Sequence, residues 1–131
     1  MAEIFAEQWM QKFMDEWNKD SELVQELSNI NFSSSIAYGI DNEDEPRGVL
    51  IVEKGHAIAG TVFHEQEINW DIRAAKDTWQ KWFSKPPGMM GLGIAYTSRK
   101  IKFNKGDYTA MIKDPRMAGP FIKSFVVMAR V

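Results

Sequence analysis

Residues 68–107 read INWDIRAAKDTWQKWFSKPPGMMGLGIAYTSRKIKFNKGD. Ile68, Trp70 and Ile72 alternate with Asn69, Asp71 and Arg73, the period-two pattern of a strand with one apolar and one polar face. Asp71 and Arg73 read as a solvated pair on the polar side. Asp77 is placed to cap a helix whose Trp79, Trp82 and Phe83 fall at i, i+3 and i+4 on one side. Pro86 and Pro87 end that helix, because neither can donate a backbone hydrogen bond. The run GMMGLGIAY over residues 88–96 follows as a helix or loop. Its glycines permit close packing, and the thioethers of Met89 and Met90 adapt to irregular apolar shapes. Ile101 and Phe103 then alternate with Lys100, Lys102 and Asn104 in another strand, which turns at Gly106-Asp107. The segment carries three tryptophans and two methionines with scarcely a nucleophile. That balance suits holding an apolar molecule better than transforming one.

Upstream, Phe5, Trp9, Phe13 and Trp17 recur every four residues, which predicts a helix over residues 3–18 with an aromatic stripe. Asp20 or Ser21 caps a second helix whose inward face is Leu23, Val24, Leu27 and Ile30. From Phe32 the period changes to two, with Ile36, Tyr38 and Ile40 on one face of a strand. An acidic turn over residues 41–46, a strand over residues 48–53, the turn Lys54-Gly55 and a strand over residues 56–63 complete an antiparallel meander. Downstream of residue 107, a short helix carries Tyr108, Met111 and Ile112. Asp114-Pro115 reads as a cap and first helical position. Gly119-Pro120 reads as the start of a separate last segment, whose Phe121, Ile122, Phe125, Val126 and Met128 must pack on the body or close over something.

A chain of 131 residues fits one domain, residues 1–131, with a core that needs no metal or disulfide staples. There is no cysteine, hence no disulfide, thiolate metal site or cysteine nucleophile. A net charge of −2 with acids and bases interleaved argues against a nucleic-acid surface. The opening MAEIFAEQW has acids where a secretory signal needs bases, no apolar run approaches the ~20 residues of a membrane span, and the last three residues are not a Ser-Lys-Leu address. The expectation is a soluble cytoplasmic protein without stable membrane insertion.

Catalytic constellations do not assemble. His56 and His64 stand at opposite ends of one strand, roughly 26 Å apart, too far to share a metal. The acidic run lacks the calcium-loop spacing, and the three glycines match neither phosphate-loop pattern. Serines 33–35 lack a nucleophile elbow. The reading is therefore a non-enzyme with no metal and no cofactor.

The strand-to-helix run WDIRAAKDTWQKWF, the helical GLGIAYTSRKIKFNKGD with its Lys-Gly-Asp end, and the tail residues Pro120, Phe121 and Phe125 resemble the sterol carrier protein 2 (SCP2) family of lipid-binding domains. The likeness runs over nearly the whole chain. It departs at Arg99, where family members commonly have glycine before the lysine that opens the last strand; a Cβ there resists positive φ. The resemblance implies an α+β fold, with a five-stranded, mostly antiparallel sheet, helices on one face, and an apolar tunnel between the layers. It implies non-catalytic binding and transfer of a fatty acid, fatty acyl-CoA, sterol or similar lipid. Carried over, Trp79, Trp82, Phe83, Met89, Met90 and Leu92 would wall the tunnel, and Phe121 and Phe125 would belong to a carboxy-terminal flap. Trp70 joins them by its strand phase. Lys81, Lys85 and Lys123 are the candidates for an acidic head group. Two alternatives stand beside this reading. One is an accessory subunit that presents a hydrophobic substrate to a partner enzyme, docking through residues 121–128. The other is an α+β cone enzyme like ketosteroid isomerase, using Tyr38 and Asp71 for proton transfer.

Overall fold

The computed structural model describes residues 3–131. Helices α1 (Glu7–Lys19) and α2 (Ser21–Asn29) lead into strands β1 (Ser34–Ile40), β2 (Gly48–Glu53), β3 (His56–Val62) and β4 (Trp70–Ala74). Then come α3 (Lys76–Ser84), α4 (Met89–Thr97), β5 (Ile101–Lys105), α5 (Tyr108–Lys113) and α6 (Pro115–Met128). The strands form one sheet in the order β3-β2-β1-β4-β5. β1 and β4 run parallel at its centre and the other neighbours are antiparallel. This is the expected five-stranded, mostly antiparallel α+β sheet, and the helices supply the apolar layer on one face.

That layer is aromatic. Trp9, Met10, Phe13 and Trp17 of α1 are buried. The helix can lie close to β3 because a Cβ on Gly60 would overlap the Met10 carbonyl. The opposite sheet face has its own small cluster of Ala37, Val49 and Ile68, with Ile51 and Phe63 against it. Ile68 therefore belongs to the back face and precedes β4, where its spacing suggested a place beside Trp70 and Ile72. The link from β3 to β4 crosses beneath the sheet and carries Ile68 with it.

Other expectations are corrected as well. α1 begins at Glu7 rather than residue 3, because Phe5 adopts a left-handed φ of 61° that turns its ring into the core against Tyr38 and Trp79. Asp20 does cap α2, its Oδ1 accepting the Leu23 amide at 3.0 Å. Asp77 does not cap α3; Ala75 holds that position, and Asp77 lies in the first turn, where its charge still suits the helix dipole. α6 runs without a break through Gly119-Pro120, with Asp114 as its cap and Pro115 at its start. Pro120 forfeits one backbone hydrogen bond, which burial of its ring and of Ala118, Phe125, Val127 and Met128 offsets.

Asp71 and Arg73 are not solvated. Arg73 Nε donates to Asp71 Oδ1 at 2.6 Å, Nη2 donates to Oδ2 at 3.1 Å, and Nη1 donates to the Glu43 carbonyl at 2.7 Å. The Arg73 residue is only 2 % exposed. The pair lies under the loop between β1 and β2, whose Pro46 backbone closes on Gly39. At the end of α4 the Lys100 amide donates to the Ala95 carbonyl and the Arg99 amide to that of Tyr96, the Schellman arrangement. Arg99 takes the left-handed position at φ 63° despite its Cβ.

Candidate functional site

Between the helix-facing side of β1 and β4 and the cover formed by α2, α5 and α6 lies an apolar cavity of ≈ 40 Å³. Counted together with the solvent-open space at its mouth, the hollow amounts to ≈ 440 Å³. Ile36 and Tyr38 of β1 pair in register with Trp70 and Ile72 of β4, so four consecutive inward side chains of a parallel pair make the floor. Met117, Pro120, Phe121 and Ser124 fall at i, i+3, i+4 and i+7 of α6 and form the cover. Leu27 and Met111 add to that cover, and Trp17 and Phe32 complete the wall.

Among the described residues the wall offers few polar atoms and no charged side chain. Trp17 Nε1–H already donates to the Gly55 carbonyl at 3.0 Å, and the Ser124 hydroxyl donates to the Phe121 carbonyl of its own helix. Tyr38 differs. Burial alone pushes its phenol far above the ordinary value, with no hydrogen bond contributing. No sealed side-chain polar atom among the described residues lacks a partner. The Tyr38 hydroxyl bonds to no described residue, and Tyr38 is one of the residues that line the cavity. Tyr38 is thus a neutral side chain able to hydrogen-bond, set in the floor of an apolar chamber.

The cover is tied down electrostatically. Asp20 Oδ2 lies 3.0 Å from Arg130 Nη1 and 3.6 Å from Lys123 Nζ, which links the α1–α2 corner to the far half of α6 and to the residues just past its end. Burial works to raise the Asp20 carboxyl, but the Leu23 amide, Arg130 and Lys123 outweigh it and hold the group below its usual range.

Trp70 and Phe121 are the two expected ligand contacts that the structure brings to the cavity. Trp79 is fully buried beside it, donating its indole N–H to the Gly39 carbonyl at 2.9 Å and stacking on Phe125 at 6.2 Å. Trp82 and Phe83 pack around Trp79, and Phe125 is 1 % exposed, so these four belong to the adjoining aromatic core. Leu92 is buried beneath α4, whereas Met89 and Met90 on the same helix are 50 % and 79 % exposed. Nor do the α4 glycines serve close packing: a Cβ on Gly93 would meet nothing, and one on Gly91 would make an ordinary contact with Pro87. None of Lys81, Lys85 or Lys123 lines the cavity.

Within residues 121–128, Phe125, Val127 and Met128 are buried in the chain's own core, whereas Phe121, Ile122 and Val126 stay partly exposed. Tyr38 and Asp71 point to opposite sheet faces, because Ala37 rather than Tyr38 is the register partner of Asp71. They cannot share a substrate. Among the described residues no cluster of His, Asp and Glu is fit to hold a metal, and no helix is long and apolar enough to cross a membrane. The cavity residues that sequence reasoning missed include Trp17, Phe32, Met111, Met117 and Ser124. The i, i+3, i+4, i+7 face of α6 was a usable signal for the last two; the parallel pairing of β1 with β4 left none.

No family model matches the chain, and no curated protein sequence matches it. Solved structures do. The crystal structure of a sterol carrier protein 2 superposes with a TM-score of 0.78 at 20 % identity, over 98 % of this chain and 99 % of that one. A conserved hypothetical protein of Thermus thermophilus, described as a candidate sterol carrier protein, gives 0.73 at 20 % identity over 98 % and 88 %. A ubiquinone synthesis protein, UbiJ-SCP2, gives 0.57 at 8 % identity over 95 % and 88 %. The chain has the fold of the sterol carrier protein 2 structures, as the motifs led us to expect.

Proposed function

We propose that this chain binds a hydrophobic ligand without covalent chemistry, in the cavity between the β1–β4 floor and α6, and carries or presents it. The observation that carries this reading is a chamber walled by apolar side chains at a place where the fold had Phe, Met and Trp available to fill it. Sterol carrier structures share the fold and agree with the assignment. Each methylene moved from water into such a wall contributes about 0.8 kcal/mol. As it stands the chamber is too small for a long acyl chain, since ≈ 40 Å³ holds only a few water-sized spheres. Entry therefore requires Met111 and Met117 to change rotamer and α6 to lift about Pro120, the position in the helix that already lacks a backbone bond. Polar recognition falls to Tyr38 rather than to a lysine. Sterols, fatty acyl esters and other lipids with an uncharged oxygen suit that phenol better than a buried carboxylate would.

Titration of delipidated protein with cholesterol, a fatty acid and a fatty acyl ester, followed by tryptophan emission, tests the proposal, because Trp17 and Trp70 lie in the wall. A saturable change with at least one of them is expected. Flat titrations across chain lengths and sterols would remove the proposal. The ubiquinone synthesis protein of the same fold keeps a second reading open, in which the held molecule is handed to an enzyme. Co-purification of a hydrophobic metabolite together with an enzyme would favour that version of the same site.

A further inference from the structure

The face of α4 turned away from the body is apolar and uncovered. Met90 is 79 % exposed, Ile94 61 % and Met89 50 %, while Leu92 and Ala95 point inward. Its one aliphatic hydroxyl is turned away from partners: Thr97 Oγ1 bonds back to the Gly93 and Ile94 carbonyls at 3.1 Å each. Met89, Met90 and Ile94 themselves have no group that makes a directional bond to a protein surface. Charge adds a second, separate observation. Between Asp77 and Asp107 the chain has no acid but six of its sixteen bases, in a protein of net charge −2. Lys85 precedes α4, and Arg99 and Lys100 follow it, all exposed and without an ion pair among the described residues. A nine-residue helix is about 14 Å long, so cations bracket the apolar face within one short span.

We propose that α4 is a membrane-docking element, which lays Met89, Met90 and Ile94 into the interface of an anionic bilayer while Lys85, Arg99 and Lys100 engage the lipid phosphates. The pairing of a bare apolar face with a basic rim is what an anionic lipid surface complements. Tyr96, 37 % exposed and stacked on Tyr108, sits at the edge of the face, where the headgroup layer takes an amphipathic ring. A neutral, apolar protein partner would leave the six cations unexplained. This surface is separate from the cavity and stands whether or not the cavity holds lipid.

The test is co-sedimentation of the full chain with phosphatidylcholine vesicles, with and without phosphatidylglycerol, at low and high salt. The protein should bind the vesicles that contain phosphatidylglycerol and release with salt. Each basic residue removed should cost about fivefold in partitioning, so Arg99→Gln with Lys100→Gln loses about 25-fold. Met90→Asp, at an exposed site that leaves the melting curve unchanged, should lose at least about tenfold. Absence of binding to both vesicle types would overturn the proposal, as would variants that partition like the parent. A dimer that Met90→Asp splits, without vesicle binding, would assign the face to a second copy and overturn it too. Ligand titrations on the same variants separate this result from the fate of the cavity reading.

Discussion

Tyr38→Phe separates the cavity's packing from its chemistry. The substitution deletes one oxygen that has no partner among the described residues and leaves a ring held by Phe5, Phe13 and Trp79. A buried polar group without a partner costs about 1–3 kcal/mol. Because the Tyr38 hydroxyl bonds to no described residue, its removal should leave folding stability unchanged or raise it by up to about 1 kcal/mol. Alkaline behaviour supplies an independent sign. Burial raises the phenol above its ordinary 10.0, so at high pH the unfolded chain loses a proton that the folded chain keeps. Stability is thus fully present below pH 10 and declines as pH rises above it, by about 1.4 kcal/mol per unit from this one group. Tyr38→Phe should flatten that decline. For ligands, losing one neutral hydrogen bond is worth about 0.5–1.5 kcal/mol, or roughly two- to twelvefold in affinity. A sterol or ester should weaken by that much and a plain hydrocarbon not at all. Urea unfolding at neutral pH and at pH 10 to 11, with paired fluorescence titrations, reads all three effects. A loss of 2 kcal/mol or more at neutral pH would refute the reasoning, since it would mean that the hydroxyl makes a structural bond.

Three further changes test the frame around the site. Arg99→Gly should stabilise the protein by about 0.5–1 kcal/mol in urea unfolding, because it relieves a left-handed residue with a Cβ at the end of α4, less the entropy that glycine adds to the unfolded chain. Gly106→Ala should destabilise by about 2–3 kcal/mol and shift tryptophan emission, since φ there is 102° and the new Cβ would overlap the Trp70 indole on the cavity floor. Asp20→Asn should cost about 1–2 kcal/mol at neutral pH, by removing the charge that holds Lys123 and Arg130. Because the folded Asp20 carboxyl lies below its ordinary 3.8, its contribution is present above that value and lost as pH falls through the lower folded one. The variant's unfolding profile should accordingly be flatter on the acid side.

The regular periodicities carried most of the fold. β2 was legible to the residue, and the Asp114-Pro115 start of α6 and the Asp20 cap of α2 followed from side chains that act on their own neighbours. What failed was set by distant partners. Gly119-Pro120 looks like a boundary locally, yet burial across α6 carries the helix through it. Arg99 argues against positive φ locally, yet the Schellman bonds to Ala95 and Tyr96 impose it. The site was less legible than the fold for the same reason. Trp79, Phe125 and Met90 share one apolar composition but occupy core, core and surface respectively, and periodicity does not say which apolar face meets another. Strand phase and the tail motif pointed to Trp70 and Phe121, which line the cavity; Met111 and Met117 depend on how α5 and α6 cross β1 and β4.

Methyl-resolved NMR during titration with the tightest ligand is the most direct test of where the molecule sits. The account predicts shifts and intermolecular contacts at the methyl groups of Ile36, Ile72, Met111 and Met117, which line the chamber, with Met89, Met90 and Ile94 unchanged in the absence of vesicles. Saturable binding that moves the α4 methyls and leaves the chamber's silent would contradict it.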